Sequence, residues 1–409
     1  MLDIKFIREN PEKVKKACKN KGFDVDIDKL LELDKKRRSN IINIETLQAR
    51  QNKLGKEGIE EARKIKAEII KIAPDSKKIE QEFNDLMSQI PNIPFDDVLV
   101  GKDERENVVI KKIGKIPIFK FQPKDYLEIG EKLELIDVAR ASKVVGTRFG
   151  YLRNEAVLME FALLKLAFDL LIKKGFLPVL PPVMLKEEMA KGTGYFEAAD
   201  KEEAYFISED KLFLVGTSEQ SLIAMHAGEI LPEKDLPKRY VGFSTCFRRE
   251  AGSYGKDTKG ILRVHQFDKV EMVIFSKPED SEKEHQMILS IEEELMRKLR
   301  IPYQVVNICT GDLGRPAAKK YDIEAWLPSQ NRYRETHSTS NCTDFQARRL
   351  NIRYRDKTGK VNFVHTLNGT AFAIGRTLIA IIENYQQKDG SIKVPEALQK
   401  YTGFKIIRT

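Results

Sequence analysis

Cysteine is scarce in this sequence: Cys18, Cys246, Cys309 and Cys342 are the only four in 409 residues, and no two form a CxxC pair. That spacing argues against a disulfide framework and a structural zinc site, and it suits a reducing compartment in which each thiol is free and buried. Histidine is as sparse, five residues with no two-ligand spacing, which again gives zinc nothing to bind. No run of about eighteen uncharged apolar residues occurs, so no membrane span is expected. The opening MLDIKFIREN sets acids beside its basic residues and has no apolar stretch, so it does not read as a secretory signal. A cytoplasmic location is the expectation. Internal repeats and low-complexity tracts are missing too.

A hydrophobic content of 41% over this length can bury a large core and a second, smaller domain. The division is expected near residue 100, with residues 1–100 and 101–409 as the two parts. A net charge of +9 suits a polyanionic partner, although 33% charge of both signs is also an ordinary solvated surface. Its distribution is more informative. Residues 35–56 carry seven basic side chains (Lys35, Lys36, Arg37, Arg38, Arg50, Lys53, Lys56) against the single acid Glu45. Residues 57–90 carry six basic and eight acidic ones. A basic helix beside a mildly acidic one suits mutual pairing and also a phosphate-facing edge.

Asn10 and Pro11 mark the start of a short helix running to about Asn20. Two long polar segments follow. Apolar residues recur near three-four spacing at Leu30, Leu33, Ile41, Ile44, Leu47 and Leu54, then at Ile65, Ile69, Ile72, Ile79, Phe83, Leu86 and Ile90. The turn-forming Gly55-Lys56-Glu57-Gly58 lies between them. Such narrow stripes predict an antiparallel two-helix hairpin over about 28–90, which would extend roughly 40 Å. A dimerisation coiled coil fits the same pattern. Pro74 should kink or restart the second helix. Pro91-Asn92-Ile93-Pro94 ends the hairpin, and a linker of short strands and turns is expected to about residue 120. Beyond it, β-branched and aromatic runs alternate with helices, as in a mixed α+β domain. Residues 154–173 predict a strongly apolar helix with Asn154 at its N-cap and Gly175 after its end, followed by the strand FLPVLPPVM.

Residues 240–271, YVGFSTCFRREAGSYGKDTKGILRVHQFDKVE, predict a β-hairpin with a long tip. Period-two alternation places Arg248 and Glu250 on one face of its first strand, and Arg263, Phe267 and Glu271 on one face of its second. Arginine forks grip phosphates, an aromatic stacks on a purine, and carboxylates hold amines or hydroxyls. FRRE followed by RxxxFxxxE resembles motif 2 of class II aminoacyl-tRNA synthetases, and the fuller string resembles the seryl-tRNA synthetases in particular. Other segments are similar in the same order. GFLPVLPPVM resembles motif 1 at a dimer interface. KGTGYFEAADKEEAYFI and LVGTSEQSLIAMH resemble the serine-site loop and its Thr-x-Glu signature. RETHSTSNCTDFQARR resembles the ATP-and-metal segment, and HTLNGTAFAIGRTLIAIIENYQ resembles motif 3. TSE stands where TAE is commoner, and ETHST where Glu-x-Ser-Ser-Cys is commoner. Any one segment has a bland reading, such as a capped turn or a surface arginine; together and in order they do not.

The resemblance implies a class II catalytic domain, built on an antiparallel sheet with flanking helices, plus an N-terminal coiled-coil arm. It implies activation of L-serine with ATP and Mg2+, without zinc, and transfer to tRNA(Ser), with tRNA(Sec) as a second acceptor, by a homodimer. By likeness, Arg248 grips the ATP α-phosphate and the serine carboxylate, and Arg376 holds the γ-phosphate end; these are the catalytic pair. Arg249, Glu250, Val264 and Phe267 complete the motif 2 contacts to ATP, with Phe267 stacking on adenine. Glu335, Thr336, His337 and Ser338 form the ATP segment, Glu335 and Ser338 with oxygen donors for magnesium. Thr217, Ser218 and Glu219 form the loop that closes on serine, over a floor of Glu271 and Thr370. A threonine or proline enzyme, a paralogue charging a carrier protein and a non-catalytic nucleic-acid-binding module are the rival readings. The first is opposed by the missing Cys/His spacing, the second by the hairpin, and the third by the joint presence of Arg248, Glu250, Glu271, Glu335 and Arg376.

Overall fold

The computed structural model describes residues 1–54, 58–195, 203–251 and 259–408. They divide into two compact units, Met1–Ile93 and Pro94–Thr409.

The first unit is helical. Helix α1 (Ile4–Glu9), which the sequence reading did not anticipate, is followed by α2 (Pro11–Asn20). Asn10 occupies the expected N-cap position, but its side chain does not cap α2. It reaches back, and Nδ2 donates to the Phe6 carbonyl at 3.2 Å, closing α1 instead. Helices α3 (Ile27–Lys53) and α4 (Ile59–Gln89) form the hairpin. Ion pairs crossing between them set the antiparallel register: Arg37 Nε meets Glu80 Oε2 at 2.5 Å, and Arg50 meets Glu61 nearer the turn. The apolar stripe is therefore closed within the chain. Leu30, Leu33, Phe83, Met87 and Ile90 are buried at the root, whereas Ile42, Ile59 and Ile70 further along are exposed. Two helices facing only each other can cover no more than a seam. Helix α4 runs through Pro74 without a break, contrary to the expected restart. Pro74 lies on an exposed stretch, so water can take the carbonyl left without its donor. Gly58 is the N-cap of α4; residues 55–57 of the expected turn lie outside the described residues.

The second unit is built on an eight-stranded sheet. Its strands are β1 (Val108–Ile113), β2 (Leu177–Val179), β3 (Lys238–Phe247), β4 (Gln266–Ser276), β5 (Tyr303–Asn307), β6 (Lys319–Leu327), β7 (Arg332–Asn341) and β8 (His365–Ala373), in the spatial order β1-β5-β6-β7-β8-β4-β3-β2. All neighbours are antiparallel except β2 and β3. The segment expected to be a linker thus contributes an edge strand. The sequence VVIKKI lacks clean alternation because β1 pairs on one side only and is exposed along most of its length. Central strand β4 is buried from Lys269 to Ser276.

Helix α5 (Glu155–Lys173) lays Met159, Leu163, Leu166, Ala167 and Leu171 onto the core shared with Val270, Met272 and Ile274 of β4. Asn154 precedes it, as expected, without a side-chain capping bond. Leu158, Phe161 and Ile172 point outward, 49%, 59% and 49% exposed, so this helix is apolar on more faces than its own unit covers. Helix α7 (Ser281–Leu299) packs against the same side of the sheet. It comes close because position 369 in β8 is glycine: a Cβ there would stand 2.2 Å from Ile288 Cγ2 and 2.8 Å from Glu292 Oε1. Short helix α6 (Ser218–Ala224) and helix α8 (Ile374–Asn384) complete the surroundings of the site.

Candidate active site

A cavity of about 680 Å3 is lined by β4, β7 and β8, by the starts of α6 and α8, and by the chain joining β3 to β4. Period-two alternation on β4 points Phe267, Lys269 and Glu271 into it. Two β-bulges re-aim the neighbouring strands. On β7, Glu335 pairs with Glu324 and His337 with Ile323, which leaves Thr336 as the extra residue. The parity flips there, so Glu335, Ser338 and Ser340 all face the cavity. On β8, Thr370 opposes Glu271 while Phe372 opposes Val270, so Ala371 is the extra residue; Asn368, Thr370 and Ala373 line the cavity.

One end of the cavity is small, polar and acidic. Thr217 caps α6, accepting from the Glu219 amide at 3.2 Å, which aims Glu219 inward. Glu219 is buried; Oε1 accepts from Gln346 Nε2 at 2.9 Å and Oε2 from the Tyr195 hydroxyl at 3.2 Å. Burial pushes its pKa up and the nearby Glu271 charge adds to the rise, against the opposing pull of Gln346, Lys269 and Tyr195. Glu271 Oε2 accepts from Thr370 Oγ1 at 3.1 Å and lies 2.8 Å from Lys269 Nζ. Buried acceptors held this firmly suit a ligand that carries an ammonium and a hydroxyl.

The other end is basic and aromatic. Arg248 lies between the two: its Nε donates to the Gly216 carbonyl at 3.2 Å, beside the Thr217 loop, and its guanidinium stands 5.2 Å from the Phe267 ring centre. Arg263 Nη1 meets Glu250 Oε2 at 2.7 Å, and Arg148 Nη1 donates to the Glu250 carbonyl at 3.0 Å. Arg376, in the first turn of α8, pairs through Nη1 with Glu335 Oε2 at 3.2 Å. Crowding by the cavity walls pushes the Glu335 pKa up. Arg376, Lys320 and Arg248 outweigh this and hold it at about 2. Its carboxylate stays open to water, 44% exposed, and ionised at any ordinary pH.

This arrangement matches what comparison with known proteins finds. The family "Seryl-tRNA synthetase N-terminal domain" matches residues 1–94, and "tRNA synthetase class II core domain (G, H, P, S and T)" matches residues 205–385. A serine–tRNA ligase of Dictyoglomus turgidum is 47% identical, over 100% of this chain and 99% of its own length. The chain belongs to the seryl-tRNA synthetase family. The crystal structure of seryl-tRNA synthetase from Pyrococcus horikoshii complexed with ATP superposes with a TM-score of 0.93 at 44% identity, covering 100% of this chain and 99% of that one. A cytoplasmic serine–tRNA ligase from Naegleria fowleri in complex with AMP gives a TM-score of 0.89 at 36% identity, covering 100% and 99%.

Of the family positions carried over from the sequence, Thr217, Glu219, Arg248, Glu250, Val264, Phe267, Glu271, Glu335, Thr336, Ser338, Thr370 and Arg376 line the one cavity. Three do not. Ser218 is fully buried, and its hydroxyl faces β3, 3.4 Å from where a Cβ on Gly242 would stand. Arg249 turns away, its guanidinium 5.9 Å from the Tyr205 ring centre. His337 lies on the core side because of the bulge, beside Phe372, and burial lowers its pKa to about 4, so it is neutral. Thr336 lines the cavity but directs its hydroxyl to the Ile323 carbonyl at 3.2 Å. Arg248, Glu250 and Arg263 converge without lying on strands, since β3 ends at Phe247, β4 begins at Gln266 and Glu250 has φ 53°. Alternation was thus the right argument for Phe267 and Glu271 alone. It also contained Lys269, midway between them, which the motif reading passed over. Within KGTGYFEAADKEEAYFI, residues 196–202 lie outside the described residues, as do residues 252–258 of the hairpin tip.

Proposed function

We propose that this chain is a serine–tRNA ligase: it activates L-serine with ATP and transfers the seryl group to the 3′ end of tRNA(Ser). The observation that carries the reading is Arg248, which joins a nucleotide-sized platform at Phe267 to a small acidic pocket floored by Glu271 and Thr370. The serine carboxylate attacks the α-phosphorus, a C–O–P link forms, and pyrophosphate leaves with the electrons of the α–β bond. A terminal ribose hydroxyl of the tRNA then attacks the adenylate carbonyl, and AMP leaves. No side chain acts as nucleophile. Arg248 and Arg376 supply charge and position, where phosphoryl transfer gains most. Phe267 stacks on adenine. Glu219 takes the serine ammonium, and Glu271 with Thr370 takes the hydroxyl. Alanine is rejected because it would leave these buried groups without a partner.

Magnesium fits the donors present. Glu335 is an ionised, water-facing carboxylate that lines the cavity with Ser338, and these two would offer the ion hard oxygen donors. When bound, it neutralises charge on the triphosphate; the reading calls for no zinc. tRNA(Sec) is a second acceptor in this reading. Amino-acid-dependent ATP–pyrophosphate exchange tests the core of this reading. Serine is expected to dominate among all twenty amino acids, and a larger signal with threonine, or none with any, overturns it.

We propose a homodimer as well. Leu158, Phe161, Phe168, Ile172 and Tyr401 line an apolar groove along α5, with Leu177 and Leu180 exposed just beyond it. Light scattering at micromolar concentration is expected to give twice the 47.0 kDa chain mass. Phe161→Glu, which sets a charge in the groove, is expected to shift the population to monomer. A monomeric parent would refute the assignment.

A further inference from the structure

Lys269 is a cation in a place where cations are costly. Its side chain is 8% exposed, in the middle of the row Phe267–Lys269–Glu271, and its Nζ and Thr370 Oγ1 both bind the same oxygen, Glu271 Oε2. Among the described residues, no donor is bonded to Glu271 Oε1. The groups facing this pair bear one sign of charge more than the other. Glu219 comes from α6; Glu292 of α7 comes from beneath the sheet, fully buried with neither oxygen hydrogen-bonded among the described residues. Burial, then the charges of Glu271 and Asp322, push the Glu292 carboxyl well above the usual range. Burial likewise raises the Cys246 thiol and the Tyr195 phenol, which bring no charge. Asp322 has its own partner in Lys320, 3.3 Å away. Glu219 and Glu271 are then the two carboxyl groups that share the pocket with Lys269, and Arg248 is reserved for the carboxylate and phosphate of the substrates.

We infer that Lys269 is a positioning and specificity-determining residue of the amino-acid pocket: its ammonium holds Glu271 Oε2 and balances the two buried carboxylates, so that Oε1 faces the substrate hydroxyl as an acceptor. This rests on the serine reading above. Without Lys269, two carboxylates sharing one buried pocket cannot both stay ionised near neutrality, and the proton they take up removes an acceptor. Serine binding should suffer while ATP binding does not, and raising the pH should repair it.

The test is pyrophosphate exchange by the full chain and its Lys269→Met and Lys269→Arg variants, expressed as the variant-to-parent ratio from about pH 6.5 to about pH 9. Lys269→Met is expected to raise KM for serine about tenfold or more near pH 7, to leave KM for ATP within about twofold, and to lose most of the penalty at the alkaline end. Discrimination against alanine falls with it. Lys269→Arg, which keeps the charge, restores most of the activity. A penalty independent of pH, or one shared equally by serine and ATP, overturns the inference. In a Glu271→Gln background, adding Lys269→Met should cost less than about twofold, and a full multiplicative loss again overturns it. That double variant leaves Glu219 as the one carboxyl of the pocket, held by Gln346 and Tyr195, so it carries the test even where Lys269→Met alone does not fold. A parent without serine-dependent exchange would refute the serine reading itself, which separates the two failures.

Discussion

Arg376→Ala is expected to lower serine-dependent pyrophosphate exchange by about a hundredfold or more, with Arg248→Ala at least as severe. In the proposed reading each guanidinium meets charge that develops along the triphosphate, and removing one such donor from an active site raises a barrier by roughly 3 kcal/mol. The two should separate in their kinetics. Arg376 pairs with Glu335 at the end of the cavity proposed for the nucleotide, so its loss should fall on ATP and leave KM for serine nearly unchanged. Arg248 touches both ends and should raise both KM values. The folds should survive, because Arg248 and Arg376 make their polar contacts at the edge of an open cavity and neither fills the core. Glu335, left without Arg376, remains solvated and keeps Lys320 and Arg248 nearby. Near-parental exchange by either variant, with an unchanged melting temperature, would count against the role given to that arginine.

Shortening the hairpin is expected to separate the two half-reactions. Leu30, Leu33, Phe83 and Met87 are buried at its root, and the Arg37–Glu80 ion pair crosses just beyond them. Excising residues 41–76 and joining the cut ends with a short glycine linker keeps those contacts. Serine-dependent exchange should persist, since none of the cavity residues lies in the first unit. Aminoacylation should fall by about two orders of magnitude, mainly through weaker tRNA binding. The salt dependence of that binding should flatten as the phosphate contacts of Arg50, Lys53 and their neighbours are lost. Recognition by shape and backbone is what such a surface offers, because A-form grooves present side chains with little sequence to read. A shortened chain that charges tRNA like the parent would refute the role.

Much of this was legible from residues alone. The hairpin helices follow from a three-four stripe in otherwise polar segments, and the end of α5 from Gly175, because both depend on neighbours along the chain. Phe267 and Glu271 followed from alternation, since a strand as regular as β4 obeys period two wherever it lies. Motif resemblance carried Arg248, Glu335 and Arg376, which no local pattern would have joined.

Tertiary structure decided the rest. The bulge at Thr336 sent His337 into the core and Ser338 into the cavity, and a one-residue change of parity is invisible in a string of polar residues. Whether Ser218 faced serine or strand β3 depended on how closely α6 lies over Gly242. Short strands were expected in this stretch, but that VVIKKI joins the central sheet as its edge could not be read, because an edge needs only one partner and no buried face. The meaning of Lys269 lay furthest from the sequence: a lysine on a strand is ordinarily a solvated side chain. It becomes a buried counter-ion only once α6 brings Glu219, and β8 brings Thr370, up to Lys269 and its β4 neighbour Glu271. Local order follows from the periodicity of the chain. The charge balance of a pocket is a sum over elements that are distant in sequence, and only the folded arrangement fixes which of them are near.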